Sequence, residues 1–215
     1  MKMDMNRAKR VMTGWTKTFG VDGKQKAEYR SIVARFSKLG RKAEELVYDE
    51  YGNLECHKEF NSEGHITQEI HHNPDGSLNF RYSYKYDSAG NEIEQAMFFA
   101  GGQFHGRWVS TIGDGGKIAE RQWRNGLDEV EVTEEYEYGM NGKAVRKTRG
   151  AVAQWLYSYD ANGNLSRIRG GYYSSDEPGD IEFHYNEDGD LSEKIELYPS
   201  GSTAKSTRYK YIFWE

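Results

Sequence analysis

An all-β fold is predicted: an antiparallel meander of about twelve to fourteen strands, built from hairpin repeats of ~26 residues and curled into an open barrel or half-shell. Three observations predict it. Glycines recur on a near-constant ladder, the segments between them alternate apolar and polar residues, and aromatic rings replace the usual aliphatic core residues. Gly64, Gly90, Gly116 and Gly142 stand 26 apart, as do Gly163 and Gly189. A second series, Gly52, Gly76, Gly102 and Gly126, falls between them at spacings of 24, 26 and 24. Interleaved, the two series put a turn every 10 to 16 residues. That is one strand and one turn per step, so consecutive turns fall at opposite ends of the meander.

The repeating unit is clearest at Tyr86-Asp87-Ser88-Ala89-Gly90-Asn91. It returns as Tyr48-Asp49-Glu50-Tyr51-Gly52-Asn53, as Tyr159-Asp160-Ala161-Asn162-Gly163-Asn164 and, more loosely, around Gly189. Asp or Asn opens a type I turn, and Gly takes the φ > 0 position of the bulge that follows, where a Cβ would clash. Four residues before the Gly stands an aromatic or apolar residue, with His72 the weak member, and an apolar residue commonly follows two after it. Each turn is bracketed by two side chains that pack on one face.

Taken in order, residues 1–18 are poorly patterned and are read as an N-terminal segment, with the repeat domain at 19–215. The basic cluster Lys2, Arg7, Lys9 and Arg10 reads as a solvated terminus. Ile32, Val33, Phe36 and Leu39 have a near-helical spacing, so a helix over about 24–39 is the alternative there. The offset from Phe36 to Gly40 and from Phe19 to Gly23 matches the repeat, which favours strands. Leu78, Phe80, Tyr82, Tyr84 and Tyr86 alternate with polar residues, the period-2 mark of a half-buried strand. Val130, Val132, Tyr136 and Tyr138 repeat the pattern, as do Ile181, Phe183 and Tyr185, then Tyr209, Tyr211 and Phe213. One face is aromatic and the other charged. A sheet of a dozen strands does not leave an aromatic face in water, so it must curl, close or be covered. A four-bladed propeller is the rival, since four strands at this spacing take about 52 residues and four such blades nearly fill the chain.

Of the 215 residues 36% are hydrophobic and 14% aromatic, so any core is ring-based and its hydroxyl and indole groups need partners. The net charge is −5, from 29 basic and 34 acidic residues scattered along the chain, which argues against a nucleic-acid footprint. Cys56 is the sole cysteine, which excludes an intrachain disulfide, argues against a cysteine-based metal site within one chain and points to a reducing compartment. The N-terminus has no apolar h-region, and Ala96-Met97-Phe98-Phe99-Ala100 is too short to span a bilayer. A cytoplasmic location and no membrane partner are the expectations.

Sites of chemistry are sparse. Gly113-Asp114-Gly115-Gly116-Lys117 lacks the spacing and the Ser or Thr of a phosphate loop and reads as a repeat turn. Asn186, Asp188 and Asp190 resemble the start of a calcium loop, but the distal glutamate is missing and Leu197 stands in its place. His57, His71 and His72 flank the Gly64 turn, yet His71 and His72 point to opposite faces. Two ligands with no evident carboxylate are too few for zinc. No catalytic, cofactor or metal residues are assigned, and an enzyme is not expected.

Tyr-Asp-x-x-Gly-Asn, preceded by Tyr84-Lys-Tyr86 or Tyr157-Ser-Tyr159, resembles the YD repeats of the Rhs family and, more loosely, MORN-type modules, over about residues 19 to 201. The resemblance implies a stand-alone sheet without a toxin domain, of the kind found among immunity proteins of bacterial toxin systems and among cell-surface binding proteins. The functional expectation is a non-enzymatic protein-binding module, an immunity or inhibitor protein for a basic toxin, with a carbohydrate- or cell-surface-binding module as the alternative. Function is expected where the repeat is least regular, between Gly142 and Gly189 and among the tryptophans. The partner-binding residues assigned on that ground are Trp108, Trp123, Trp155, Tyr172, Tyr173, Asp176 and Glu177.

Overall fold

The computed structural model describes residues 9–171 and 179–213. These form sixteen strands and one short 3-10 turn at Asp114–Gly116. The strands are β1 (Lys9–Phe19), β2 (Gln25–Phe36), β3 (Lys42–Tyr48), β4 (Leu54–Phe60), β5 (Ile66–His72), β6 (Leu78–Tyr86), β7 (Glu92–Phe99) and β8 (Phe104–Ile112). They continue as β9 (Ile118–Asn125), β10 (Val130–Tyr138), β11 (Ala144–Arg149), β12 (Ala153–Tyr159), β13 (Leu165–Gly171), β14 (Asp180–Tyr185), β15 (Leu191–Leu197) and β16 (Thr203–Phe213). Each strand pairs antiparallel with its sequence neighbours, and β1 pairs with β16, so the meander closes into a barrel.

Sixteen strands exceed the twelve to fourteen expected, and part of the difference lies in β1. Residues 9–18, placed in an unpatterned N-terminal segment, pair on one side with β2 and on the other with β16. The chain is a closed barrel rather than four propeller blades, because one ladder runs through every strand without a break between blades. The helix considered over about 24–39 is strand β2. Its ladder with β1 shifts register between Gly14 and Trp15, so Ile32 pairs with Gly14, Arg30 with Trp15 and Tyr29 with Thr16. The extra residue, Ser31, puts Tyr29 and Ile32 on one face although they are three apart.

The turns follow the predicted chemistry. The Asp87 N–H donates to the Asn91 carbonyl at 2.9 Å and the Gly90 N–H to the Asp87 carbonyl at 3.0 Å. One Asp87 carboxylate oxygen accepts the Ala89 and Asn91 N–H groups, and the other accepts the Asn91 amide at 2.9 Å. Those bonds hold the Asp87 carboxyl below the usual range. Gly90 has φ 84°, and a Cβ there would meet the His65 ring at 3.0 Å. Gly90→Val therefore destabilises the fold by about 1–2 kcal/mol, which urea denaturation will read as a lower midpoint at unchanged slope. One member of the glycine series is corrected: at the β9–β10 turn the positive φ belongs to Asp128 (66°), not Gly126. Asp128 lies 26 residues after Gly102, so the true frame is more regular than the glycines alone suggest.

The tyrosine of the motif has its own task. The Tyr86 hydroxyl donates to the Ile66 carbonyl at 2.9 Å, Tyr138 to Ile118 at 2.9 Å, Tyr185 to Leu165 at 2.9 Å and Tyr211 to Leu191 at 2.8 Å, each across 20 residues. Tyr159 does the same to Ala144 at 2.8 Å. Each acceptor follows a turn and sits at a register shift in its ladder. The hydroxyls thus tie each hairpin to its predecessor at one end of the barrel, a bond that phenylalanine cannot make. Tyr86→Phe costs about 1 kcal/mol. Adding Tyr185→Phe costs about as much again, because the two clamps share no partner; denaturation of the single and double variants checks both.

The interior is thinly packed. Among the described residues the buried hydrophobic ones are Met12, Ala34, Cys56, Ala96, Ala153 and Ala204, of which Ala96 pairs with Ser83 on the other face of the sheet, and no large side chain is below 2% exposed. A sixteen-stranded barrel is wide enough to leave an aqueous channel. On β8, Gly106 and Ser110 are buried and Trp108 is half-buried, whereas Phe104, His105 and Thr111 are exposed. The register carries the Gly106–Trp108–Ser110 face to Met97, Gln95, Tyr82 and Tyr84 on one side and to Trp123 and Arg121 on the other. The aromatic face therefore lines the lumen.

Candidate functional site on the interior wall

Three tryptophans assigned from the sequence come together on this wall. Trp108 and Trp123 are cross-strand partners with ring centroids 5.8 Å apart. Gly106 makes room for them, since a Cβ there would meet the Trp123 ring at 2.7 Å and the Arg124 carbonyl at 2.5 Å. Trp155 joins through cations: the Arg149 guanidinium lies 5.6 Å from the Trp108 centroid and 5.6 Å from that of Trp155. The Lys147 ammonium stands 3.9 Å over Trp155, and Arg121 lies 5.3 Å from Trp108. Tyr172, Tyr173, Asp176 and Glu177 lie outside the described residues.

Beneath the rings is a carboxylate that the sequence suggests lies on the charged outer face. Glu134 is 3% exposed. It accepts bonds from Arg149 at 2.5 and 2.9 Å, from the Tyr136 hydroxyl at 2.9 Å and from Lys147 at 3.3 Å. Burial pushes its carboxyl upward, but Arg149 and Lys147 outweigh burial and hold it below the usual range. The signal was in the sequence, because Glu134 has the same strand parity as Val132 and Tyr136. A charge at an inward position of an otherwise apolar face is anomalous.

A second cluster sits on β4 and β5. Cys56 pairs with His71 and Lys58 with Glu69, and all four lie on the luminal face. The Cys56 sulfur is 3.6 Å from Glu69 Oε1 and 3.8 Å from His71 Nε2, and those two atoms are 2.7 Å apart. Glu69 Oε2 accepts the Tyr84 hydroxyl at 2.7 Å and lies 3.6 Å from the Lys58 ammonium. Burial works against the Glu69 charge, yet bonds from His71 and Tyr84 prevail and hold its pKa at about 2. Burial, aided by the Glu69 charge, pushes the Cys56 thiol up to about 12. The carboxylate that seemed absent from the histidine group is Glu69, which shares a face with His71 two residues on. His57 stays apart, on the opposite face, 3.2 Å from Glu44.

A closed, hairpin-built barrel with a ring-and-charge-lined interior defines the class: a β-repeat shell. The Teneurin YD-shell family profile matches residues 21–211, and the chain belongs to that family. Among solved structures it is similar to a porin-like protein from Bacteroides uniformis, at 8% identity and TM-score 0.45, covering 94% of this chain and 97% of that one. It is also similar to TcdB2–TccC3 without its hypervariable C-terminal region, at 13% identity and TM-score 0.35, over 83% of this chain and 14% of that one. The Tc holotoxin pore of Photorhabdus luminescens is matched at 13% identity and TM-score 0.34, over the same shares. This chain thus spans about a seventh of those toxin chains. A search of curated proteins finds no match.

Proposed function

We propose that this YD-shell is a non-enzymatic binding module that holds a segment of a protein partner against its interior wall, acting as an immunity or inhibitor protein toward a bacterial toxin. The observation that carries the reading is the Trp108–Trp123–Trp155 array, half-buried, cation-bearing and facing a lumen that the chain itself does not fill. Aromatic and arginine side chains are the usual anchors of protein recognition. The net charge of −5 favours a basic partner and would speed its approach. Charged outward positions such as Glu55, Glu59, Lys85 and Glu131 speak against a lipid-facing band, which must be apolar. On this reading the site performs no chemistry and the protein works in the cytoplasm.

Carbohydrate binding, the alternative, draws on the same tryptophans. It is the weaker reading because Lys147, Arg149 and Arg121 already lie over the ring faces that a sugar would need. A photo-crosslinking residue at Met97, on the luminal face, is expected to capture a stoichiometric protein partner when the untagged protein is purified from its native host. The same residue at Ser83, on the outer face, is expected not to. Recovery without a stoichiometric protein, or capture from Ser83 alone, refutes the proposal; saturable binding on a glycan array would favour the alternative.

A further inference from the structure

We propose that Cys56, Glu69 and His71 form a three-ligand site for zinc or a similar thiophilic divalent metal, with its fourth position open to the lumen. The argument begins with geometry. Zinc takes a thiolate at about 2.3 Å and an imidazole nitrogen or carboxylate oxygen at about 2.0–2.2 Å, so tetrahedral donors stand roughly 3.3–3.6 Å apart. The Cys56 sulfur already lies 3.6 Å from Glu69 Oε1 and 3.8 Å from His71 Nε2. Only the 2.7 Å contact between Glu69 and His71 must open, by a side-chain adjustment of about half an ångström.

The surroundings fit a metal centre as well. Cys56 and His71 are a cross-strand pair and Glu69 is two residues from His71, so all three donors rise from a rigid ladder rather than from loops. The Tyr84 hydroxyl and the Lys58 ammonium engage Glu69 Oε2 and leave Oε1 to the metal, an outer shell that orients the ligand. His71 is stacked on Phe80 at 4.3 Å, which fixes its ring plane. A thiolate and a carboxylate balance the charge of a divalent ion, while Glu45 stands between Lys42, at 2.5 Å, and Lys58, at 3.9 Å. A cavity of about 330 Å³ adjoins all three donors, which leaves room for a water or an incoming donor atom.

The test is a cobalt titration of the chelator-stripped full chain. One equivalent of Co²⁺ is expected to produce a thiolate-to-cobalt charge-transfer band that zinc displaces. Glu69→Gln and His71→Ala should weaken binding at least about tenfold, while His57→Ala leaves it unchanged. On the unaltered protein, zinc should slow alkylation of Cys56 at least about tenfold and a chelator should restore the rate; this arm does not depend on any variant folding. No charge-transfer band, an unchanged alkylation rate, or loss of binding in His57→Ala would overturn the assignment.

Discussion

Glu134→Ala lowers the unfolding free energy by about 3 kcal/mol, one of the two largest effects expected in this chain. Glu134 is the common acceptor for Arg149, Lys147 and Tyr136 and is 3% exposed. Its removal takes the shared carboxylate from Arg149 and Lys147, which are part-buried over the tryptophans, and a part-buried charge that loses its partner costs more than the pair contributed. In a chain of this length the loss corresponds to a fall of about 6–12 °C in melting temperature. Glu135→Ala, one residue on and exposed on the outer face, should stay within about 0.5 kcal/mol of the parent protein. Calorimetry of the two variants separates an interior network from a general need for acidic residues.

Acid is expected to destabilise the metal-free protein through Glu69. Its folded-state pKa is about 2, below the usual value of about 4.3. The unfolded chain therefore takes up the proton first. The stabilisation is fully present above the ordinary glutamate range and drains away as the pH falls through it toward about 2. The span is worth about 3 kcal/mol, since the carboxylate side chain is only 13% exposed. Denaturant midpoints measured from pH 5 to pH 2 in the presence of chelator should fall steeply for the parent. Glu69→Gln should be less stable at pH 5 and show a flatter slope. Equal slopes would mean that the His71 and Tyr84 contacts do not hold the charge.

The turns, the strand alternation and the inward aromatic face were all legible in the sequence, because each depends on a residue type at a fixed offset. Gly90 needs φ > 0, Asp87 bonds its own backbone, and Leu78 to Tyr86 alternate along a pleat. Closure was not legible. It depends on β1, where only Met12 of the inward residues Met12, Gly14 and Thr16 looks like core, and Gly14 is small because Ile32, Thr207 and Tyr209 crowd it. The tryptophan array was half legible. Rings were assigned, but the cations above them and Glu134 beneath them come from strands whose register no local pattern fixes. Cys56, Glu69 and His71 were hidden for a related reason. The ladder shifts between Phe60 and Glu59 after the Gly64 turn, so counting residues alone misaligns β4 and β5.

The central claim, an aromatic face turned inward around a wet lumen, is tested most directly by cysteine labelling at neighbouring positions of β6. In a Cys56→Ser background, Tyr82→Cys should react with a small charged methanethiosulfonate but resist a large branched polyethylene glycol maleimide, whereas Ser83→Cys should react with both. A cysteine at position 82 inert to the small reagent would mean a solid core, and one that reacts with the large reagent would mean that the sheet does not close.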